Sequence, residues 1–164
     1  INVSWLADQI IHTLGDGSVY GVDIVYSHEP EALETAGGII HAFDLLEEEF
    51  IVVNGDAFTD YDFSQLPQLT HQAHLVLVDN PIHNPAGDFS VVDKLLSNLE
   101  LGRLTFSGIA RYRKSFFAGL VEGKQALAPI LRAQAEKGQV TAEHFHGEWS
   151  DVGTPERLAQ LQAN

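Results

Sequence analysis

Residues 50–60 read Phe-Ile-Val-Val-Asn-Gly-Asp-Ala-Phe-Thr-Asp, and the rest of the chain is interpreted around them. The apolar run 50–53 contains three β-branched residues, which predicts a central strand buried on both faces, as in a parallel sheet. Asn54 and Gly55 tolerate the backbone angles of a sharp exit from a strand. Asp56 is therefore expected just past the carboxyl end of that strand, where open α/β sheets bind ligands. Taken alone, an Asn-Gly-Asp sequence is more often an ordinary turn.

The composition indicates an acidic globular protein of 164 residues with 45% hydrophobic residues and a formal net charge of −14. The absence of cysteine excludes disulfides and thiolate metal sites. Residues 1–92 contain 15 Asp and Glu but no Lys or Arg, so we expect no nucleic-acid partner. No apolar run has the length of a membrane span and no signal peptide is recognisable. We therefore expect no membrane association and a cytoplasmic location.

A second informative stretch, residues 148–158, reads Glu-Trp-Ser-Asp-Val-Gly-Thr-Pro-Glu-Arg-Leu. Thr154 as N-cap and Pro155 at the first helical position predict a helix start. Asp151 follows a predicted strand at about residues 144–149 and, like Asp56, has a glycine nearby. Two carboxylates converging at a sheet edge would bind a hard divalent cation such as Mg²⁺. The alternative is that Asp151 only braces the following helix.

Strand-like and helical patterns alternate along the chain. Residues 73–79 form a second strong strand pattern, and residues 104–112 form another that Ser107 and Gly108 interrupt. A glycine inside a strand predicts a bulge or a close backbone approach. The alternation predicts one layered α/β domain over residues 1–164, with a largely parallel sheet.

Gly37 and Gly38 stand where a helical pattern begins, with Thr35 as its candidate N-cap. Each glycine costs on the order of 1 kcal/mol relative to alanine in a helix. Close approach of a ligand or of another backbone would explain that cost. A helix that begins after the two glycines explains them equally well.

Four motifs carry a resemblance to a known family, at residues 33–38, 53–56, 104–109 and 149–158. In order and spacing they resemble the sugar-1-phosphate nucleotidyltransferases of the Rossmann-like pyrophosphorylase class. Within it, residues 33–38, 60–63 and 104–109 look most like N-acetylmuramate-1-phosphate uridylyltransferases of peptidoglycan recycling, with mannose-1-phosphate guanylyltransferases second. The resemblance implies a three-layer α/β/α fold with a mixed, mainly parallel sheet.

The resemblance also implies roles for particular residues. Asp56 and Asp151 would be the catalytic Mg²⁺ ligands. The nucleotide would be bordered by Leu33, Thr35, Gly37, Gly38 and Asn54. The sugar would be faced by Asp88 and by the backbone at Ser107 and Gly108. In the implied reaction an oxygen of the sugar-1-phosphate attacks the α-phosphorus of a nucleoside triphosphate, UTP by preference, and pyrophosphate leaves.

One departure from the family concerns the start of the chain. The family carries a glycine-rich loop with an arginine, and then a Pro-Lys, before the point at which Ile1 stands. We therefore expect the domain to be N-terminally incomplete and the chain as given to turn over poorly. A non-catalytic nucleotide-sugar-binding relative stays open as an alternative, and we expect a monomer or a weak dimer.

Two further patterns carry weaker hypotheses. Asp60 and Asp62 have the Asp-x-Asp form of glycosyltransferase metal sites, although a loop feature is the favoured interpretation. His144 and His146 are two apart on a predicted strand and so share a face. Two histidines alone are a weak zinc signal, and they are interpreted as surface or cleft residues.

Overall fold

The computed structural model describes residues 1–162, which form two compact units. The first comprises Ile1–Glu48 with Phe117–Ile130, and the second comprises Glu49–Phe116 with the described part of Leu131–Asn164. The prediction of a single domain over residues 1–164 stays a prediction.

The first unit contains a small parallel sheet and two short helices. Its elements are β1 (Asn2–Val3), α1 (Ala7–Leu14), β2 (Ser27–His28) and α2 (Glu34–His41). Gly37 and Gly38 both lie inside α2, so the helix does not begin after them. Thr35 is not its N-cap, because the helix already begins at Glu34 and Leu33 takes the cap position without a side-chain bond.

The second unit contains a six-stranded sheet in the order β3-β8-β5-β9-β7-β6 and a separate two-stranded sheet, β10-β4. The strands are β3 (Glu49–Val53), β4 (Ala57–Thr59), β5 (Ala73–Val78), β6 (Ser90–Val92), β7 (Leu95–Ser97), β8 (Thr105–Arg113), β9 (Val140–His144) and β10 (Trp149–Asp151). Two further α-helices in the described part of the chain are α3 (Leu127–Glu136) and α4 (Pro155–Gln162). Every residue of β5 is buried, so this strand is the centre of the core.

The fold class and the mixed sheet are confirmed, but the strand pairing needs a correction. β3, β5, β9 and β6 run in one direction, while β8 and β7 run the other way. Because the two reversed strands are inserted among the others, β5–β9 is the parallel pair of this sheet and the remaining pairs are antiparallel. Most strands of the sheet therefore run in the same direction, but most hydrogen-bonded neighbours are antiparallel.

The strand before Asp56 also differs from the prediction. β3 lies at the edge of the described sheet, and Ile51 and Val53 are 41% and 44% exposed, whereas Phe50 is buried. Packing on one face accounts for this alternation, so the prediction of a central strand buried on both faces was wrong. The strand predicted near residues 144–149 is instead two strands, β9 and β10, with Asp151 as the last residue of β10.

A β-bulge at Ser107 and Gly108 confirms the interrupted strand pattern. Val76 pairs with Ile109 but Leu77 pairs with Phe106, so Ser107 and Gly108 are skipped in the strand register with β5. Gly108 has φ +80°, a left-handed conformation that side chains rarely adopt. The bulge bends β8 where it passes the turn that follows β3.

Candidate functional site

Asp56 and Asp151 lie on neighbouring backbone segments. Asp151 pairs with Ala57 across the β4–β10 sheet, and the amide of Val152 donates to the carbonyl of Asp56 at 2.8 Å. The turn out of β3 is closed by the amide of Ala57, which donates to the carbonyl of Asn54 at 3.1 Å. Thus the two aspartates, 95 positions apart in sequence, flank one short stretch of antiparallel backbone.

Asp56 and Arg157 border the small space beside Gly153, and Arg157 pairs with Asp151. A Cβ placed on Gly153 would lie 3.1 Å from Asp56 Oδ2 and 3.5 Å from Arg157 Nη2. Arg157 Nη1 in turn lies 2.6 Å from Asp151 Oδ1. His83 Nε2 lies 3.0 Å from Asp151 Oδ2. The guanidinium group thus pairs with Asp151, and the same guanidinium and the Asp56 carboxylate lie on the space that Gly153 leaves open.

This donor set fits a hard divalent cation. Carboxylate oxygens are the ligands that Mg²⁺ takes from proteins, usually one or two of them together with water and phosphate oxygens. Arg157 already compensates the charge of Asp151, and its side chain is 30% exposed. Asp56 and Asp151 are thus the residues that would hold the ion, and Gly153 keeps the space beside Asp56 unfilled by a side chain.

The helix after Asp151 begins as the sequence predicts. The amide of Arg157 donates to Thr154 Oγ1 at 3.2 Å, and Pro155 is the first residue of α4. The cap directs Arg157, in the first turn of the helix, back towards Asp151. The cap and the carboxylate are therefore parts of one local arrangement, in which Asp151 pairs with a residue in the first turn of the helix.

Asn54 packs against the bulge. Its backbone amide donates to the carbonyl of Gly108 at 2.9 Å. A Cβ on Gly108 would lie 2.6–2.7 Å from Cβ, Cγ and Nδ2 of Asn54. The glycine is thus required by close approach of the Asn54 side chain as well as by its own backbone angle.

Ser107 is buried, and its hydrogen bonds connect the bulge to neighbouring strands. Its hydroxyl donates to the carbonyl of Val76 at 2.7 Å and accepts from the amide of Ile109 at 3.1 Å. Its carbonyl accepts from the indole N–H of Trp149 at 3.0 Å. Ser107 is only 2% exposed, and the role of the backbone at Ser107 and Gly108 towards a sugar stays a prediction.

Asp88 accepts a hydrogen bond, through its carboxylate, from the backbone next to the same bulge. Its Oδ2 accepts from the amide of Phe106 at 2.9 Å, and its Oδ1 accepts from Asn84 Nδ2 at 3.2 Å. Its carbonyl accepts from Arg132 Nη1 at 3.3 Å. Asp88 therefore lies beside residues 106–108, and its role towards a sugar stays a prediction.

The Asp-x-Asp pattern at residues 60–62 has local structural roles. Asp60 Oδ1 accepts from the amide of Glu148 at 2.7 Å. Asp62 Oδ1 accepts from the amide of Ser64 at 2.9 Å, and hydrogen bonding to Ser64 lowers the pKa of Asp62. Tyr61 between them is buried against Phe145. These bonds favour the interpretation of the pattern as a loop feature.

The predicted nucleotide-bordering residues of the first unit form one backbone arrangement. The amides of Ala36 and Gly37 donate to the carbonyl of Gln125 at 3.1 and 3.2 Å, and the amide of Gln125 donates to the carbonyl of Leu33 at 2.9 Å. A Cβ on Gly37 would collide with the carbonyl of Gly123. The two glycines of α2 are therefore explained by close approach of neighbouring groups in the first unit.

Glu29 stabilises this arrangement by hydrogen bonds to its buried carboxylate. It is 8% exposed, and its Oε2 accepts from the amide of Leu33 at 3.0 Å. Its Oε1 accepts from Asn2 Nδ2 at 2.9 Å, and the same amide group donates to the carbonyl of Gly38 at 2.8 Å. A Cβ on Gly38 would lie 2.6 Å from Glu29 Oε1. The backbone from Leu33 to Gly38 is thus held at both ends by one buried carboxylate and its amide partner.

Sequence reasoning did not single out four residues that the structure places in these arrangements: Glu29, His83, Gln125 and Arg157. His83 and Asp151 are 68 positions apart, and neither lies in a metal-binding spacing. Arg157 is the first basic residue after the predicted helix start, and this position in the sequence could have indicated its pairing with Asp151.

Comparison with known proteins identifies the family. Residues 4–95 match the model of the nucleotidyl transferase family. The chain is 48% identical to the N-acetylmuramate alpha-1-phosphate uridylyltransferase of Neisseria meningitidis serogroup B, over 99% of this chain and 76% of that protein. It is 28% identical to a mannose-1-phosphate guanylyltransferase catalytic subunit beta of Drosophila pseudoobscura pseudoobscura, over 93% of this chain but 46% of that protein.

Solved structures agree on the fold. A putative glucose-1-phosphate thymidylyltransferase from Bacillus anthracis superposes with a TM-score of 0.77 at 19% identity, over 95% of this chain and 70% of that chain. The inositol-1-phosphate CTP transferase from T. maritima gives 0.77 at 15% identity, over 99% and 74%. With the family match and the 48% identity, these findings lead to one conclusion. The chain belongs to the nucleotidyl transferase family.

Proposed function

We propose that this protein transfers a uridylyl group from UTP to N-acetylmuramate 1-phosphate, giving the UDP-sugar and pyrophosphate. The observation that carries the proposal is the 48% identity to an N-acetylmuramate alpha-1-phosphate uridylyltransferase across 99% of the chain. The guanylyltransferase alternative rests on 28% identity, and the relative concerned is matched over less than half its length. UTP is therefore the nucleotide we expect.

The proposed reaction is a single in-line displacement. An oxygen of the sugar-1-phosphate forms a bond to the α-phosphorus of UTP, the bond from that phosphorus to the bridging oxygen breaks, and pyrophosphate leaves with the electron pair. Such a reaction needs positioning and charge neutralisation rather than a covalent intermediate. Asp56 and Asp151 would hold Mg²⁺, which when bound supplies positive charge to the phosphate oxygens.

Particular residues of the chain would position the substrates. The backbone of residues 33–38, anchored by Glu29 and Gln125, would border the nucleoside. Asn54, anchored on Gly108, would lie next to the reacting phosphate because it directly precedes the turn to Asp56. Arg157, which pairs with Asp151, would supply a positive group beside the two carboxylates.

The proposal also includes a cellular setting. No helix in the described part of the chain is long and apolar enough to span a membrane. A reaction that consumes a nucleoside triphosphate is suited to the cytoplasm, where we place it. A nucleotide sugar made from N-acetylmuramate 1-phosphate fits the recycling of peptidoglycan, and we propose that role, acting as a monomer or weak dimer.

The test is release of pyrophosphate by the protein expressed from its full reading frame. UTP and GTP are each combined with N-acetylmuramate 1-phosphate, N-acetylglucosamine 1-phosphate and mannose 1-phosphate, with Mg²⁺ or with a chelator. We expect Mg²⁺-dependent release that is greatest with UTP and N-acetylmuramate 1-phosphate. Release that is greatest with GTP and mannose 1-phosphate would transfer the assignment to the alternative, and no release with any pair would overturn it.

Two variants test the acidic pair. Asp56→Asn and Asp151→Asn should each lower kcat by at least about a hundredfold, as expected when a transition-state charge interaction is removed. Asp23→Asn is the matched control, because Asp23 is an exposed aspartate outside the described site. Loss of activity in all three variants, or in none, would contradict the assignment of the pair.

A further inference from the structure

Three side chains with metal-binding groups meet at the ends of the two parallel strands of the large sheet. His144 is the last residue of β9 and pairs with Leu77 of β5. Asp79 and His146 each stand two positions further along. Because side chains alternate between faces with a period of two, Leu77, Asp79, His144 and His146 are expected on one face of the sheet. The amide of Phe145 donates to the carbonyl of Leu77 at 2.8 Å, which holds the two chains together past the last pair.

The side chains meet as the register requires. His144 Nε2 lies 2.9 Å from Asp79 Oδ1, and the rings of His144 and His146 have centroids 3.8 Å apart at an angle of 46°. One ligand atom from each of the three residues lies within 4.8 Å of the other two. Within residues 1–162, no other group of three or more His, Cys, Asp or Glu side chains meets this criterion.

We propose that Asp79, His144 and His146 bind a divalent transition-metal ion of the Zn²⁺ type. Two imidazoles with one carboxylate are the ligands of several zinc and non-haem iron sites, and they leave at least one coordination position for an outside ligand. Ligand atoms about 2.0–2.2 Å from a zinc ion must lie within a few ångströms of one another, and the three ligand atoms of this cluster lie within 4.8 Å of one another. The site goes beyond the proposed function and does not depend on it.

The chemistry of this cluster differs from that of the Asp56–Asp151 pair. The aspartate pair itself offers carboxylate oxygens, which suit Mg²⁺, with the His83 imidazole as one nitrogen beside Asp151. The cluster offers two nitrogens, which Mg²⁺ avoids and which Zn²⁺, Co²⁺ and Ni²⁺ prefer. The Asp79 side chain is 80% exposed and the His144 side chain 29%, so an ion can enter without opening the core. The two sites should therefore select different ions from the same solution.

Cobalt is the direct probe. The purified protein is stripped with a chelator, dialysed and titrated with Co²⁺ while the visible d–d absorption is followed, and Zn²⁺ is then added as competitor. We expect one saturable Co²⁺ site per chain that Zn²⁺ displaces and a large excess of Mg²⁺ does not. X-ray absorption at the zinc edge should show scattering from two imidazole rings.

Variants locate the ion. His144→Gln and His146→Gln should each weaken Co²⁺ binding by at least about tenfold, because even groups that only orient a ligand are worth that much. Asp79→Asn should also weaken it. His12→Gln is the matched control, an exposed histidine on α1 outside the cluster. Asp151→Asn should leave Co²⁺ binding unchanged while abolishing Mg²⁺-dependent activity, so the two assignments fail separately.

Three results would overturn the proposal. One is the absence of saturable stoichiometric binding of Co²⁺ or Zn²⁺ at micromolar concentrations. Another is unchanged affinity in both histidine variants, with circular dichroism confirming that they are folded. The third is an absorption spectrum at the zinc edge that contains oxygen ligands alone.

Discussion

Replacing Gly108 by alanine tests the packing of the site most directly. Gly108 has φ +80°, and an added Cβ would lie 2.6–2.7 Å from three atoms of the Asn54 side chain. Two separate penalties are therefore expected. One arises in the backbone of the substituted residue, and the other arises from the displacement of Asn54 from its position before the turn to Asp56.

The expected magnitude follows from these two penalties. A left-handed backbone costs a non-glycine residue about 1–2 kcal/mol. Forcing an extra carbon into occupied space typically costs a further 1–3 kcal/mol or so. Alanine restricts the unfolded chain and so returns about 0.4–1 kcal/mol. We expect Gly108→Ala to lower the free energy of unfolding by about 2–4 kcal/mol.

Gly102 provides a control that has the backbone penalty but not the steric penalty. Its φ is +68°, but nothing lies within 4 Å of an added Cβ. Gly102→Ala should therefore lower the free energy of unfolding by only about 1 kcal/mol. Urea denaturation followed by circular dichroism measures both variants, and pyrophosphate release gives the KM for UTP. Equal destabilisation by the two variants, or an unchanged KM for UTP in Gly108→Ala, would refute the reasoning from Asn54.

Three other predictions concern charge and packing. Arg157→Gln should tighten the binding of Mn²⁺ by up to about fivefold, because an ion pair worth about 0.2–1 kcal/mol no longer competes for Asp151. Electron paramagnetic resonance without nucleotide measures this affinity, and weaker binding would exclude the competition. Burial lowers the pKa of His74 below its ordinary value near 6.5, so the unfolded chain takes up the proton more readily and stability should fall as pH drops below about 6.5. The slope this histidine contributes, at most about 1.4 kcal/mol per pH unit, should be absent in denaturation curves of His74→Gln, and an unchanged slope would contradict it. Gly37→Ala should destabilise by about 1–3 kcal/mol in thermal melts, because its Cβ meets a backbone carbonyl, whereas Gly55→Ala, with open space around it, should be close to neutral.

The parts of the fold that sequence predicts are those fixed by neighbours in the chain. Thr154 caps α4 because its hydroxyl reaches an amide only three residues ahead. Gly108 signals the bulge because a glycine weakens a strand interior, so its presence there indicates a bend or a close approach of another group. Both depend on contacts or backbone angles within a few residues, and both are confirmed.

The parts that sequence does not predict are those fixed by distant contacts. β4 and β10 have three residues each, too short for a hydrophobic pattern, and they are defined by their pairing with each other. The exposure of Ile51 and Val53 in β3 depends on which face of the sheet is covered, which the residues of the strand do not encode. Glu29 reads as a loop glutamate in the sequence, and only the fold shows that its carboxylate accepts the amide of Leu33.

The position of Asp151 depends on a strand that contributes no side chain to the site. β5 is buried along its whole length, and the carbonyl of Val76 in it accepts the Ser107 hydroxyl. The Ser107 carbonyl accepts the Trp149 indole, and Trp149 opens the three-residue strand that ends at Asp151. A short β4–β10 ladder alone would be marginally stable. The hydrogen bonds that run from the core through the bulge to Trp149 therefore support the short ladder that holds Asp151 opposite the turn carrying Asp56. A change at Ser107 should disturb the acidic pair although Ser107 touches neither carboxylate.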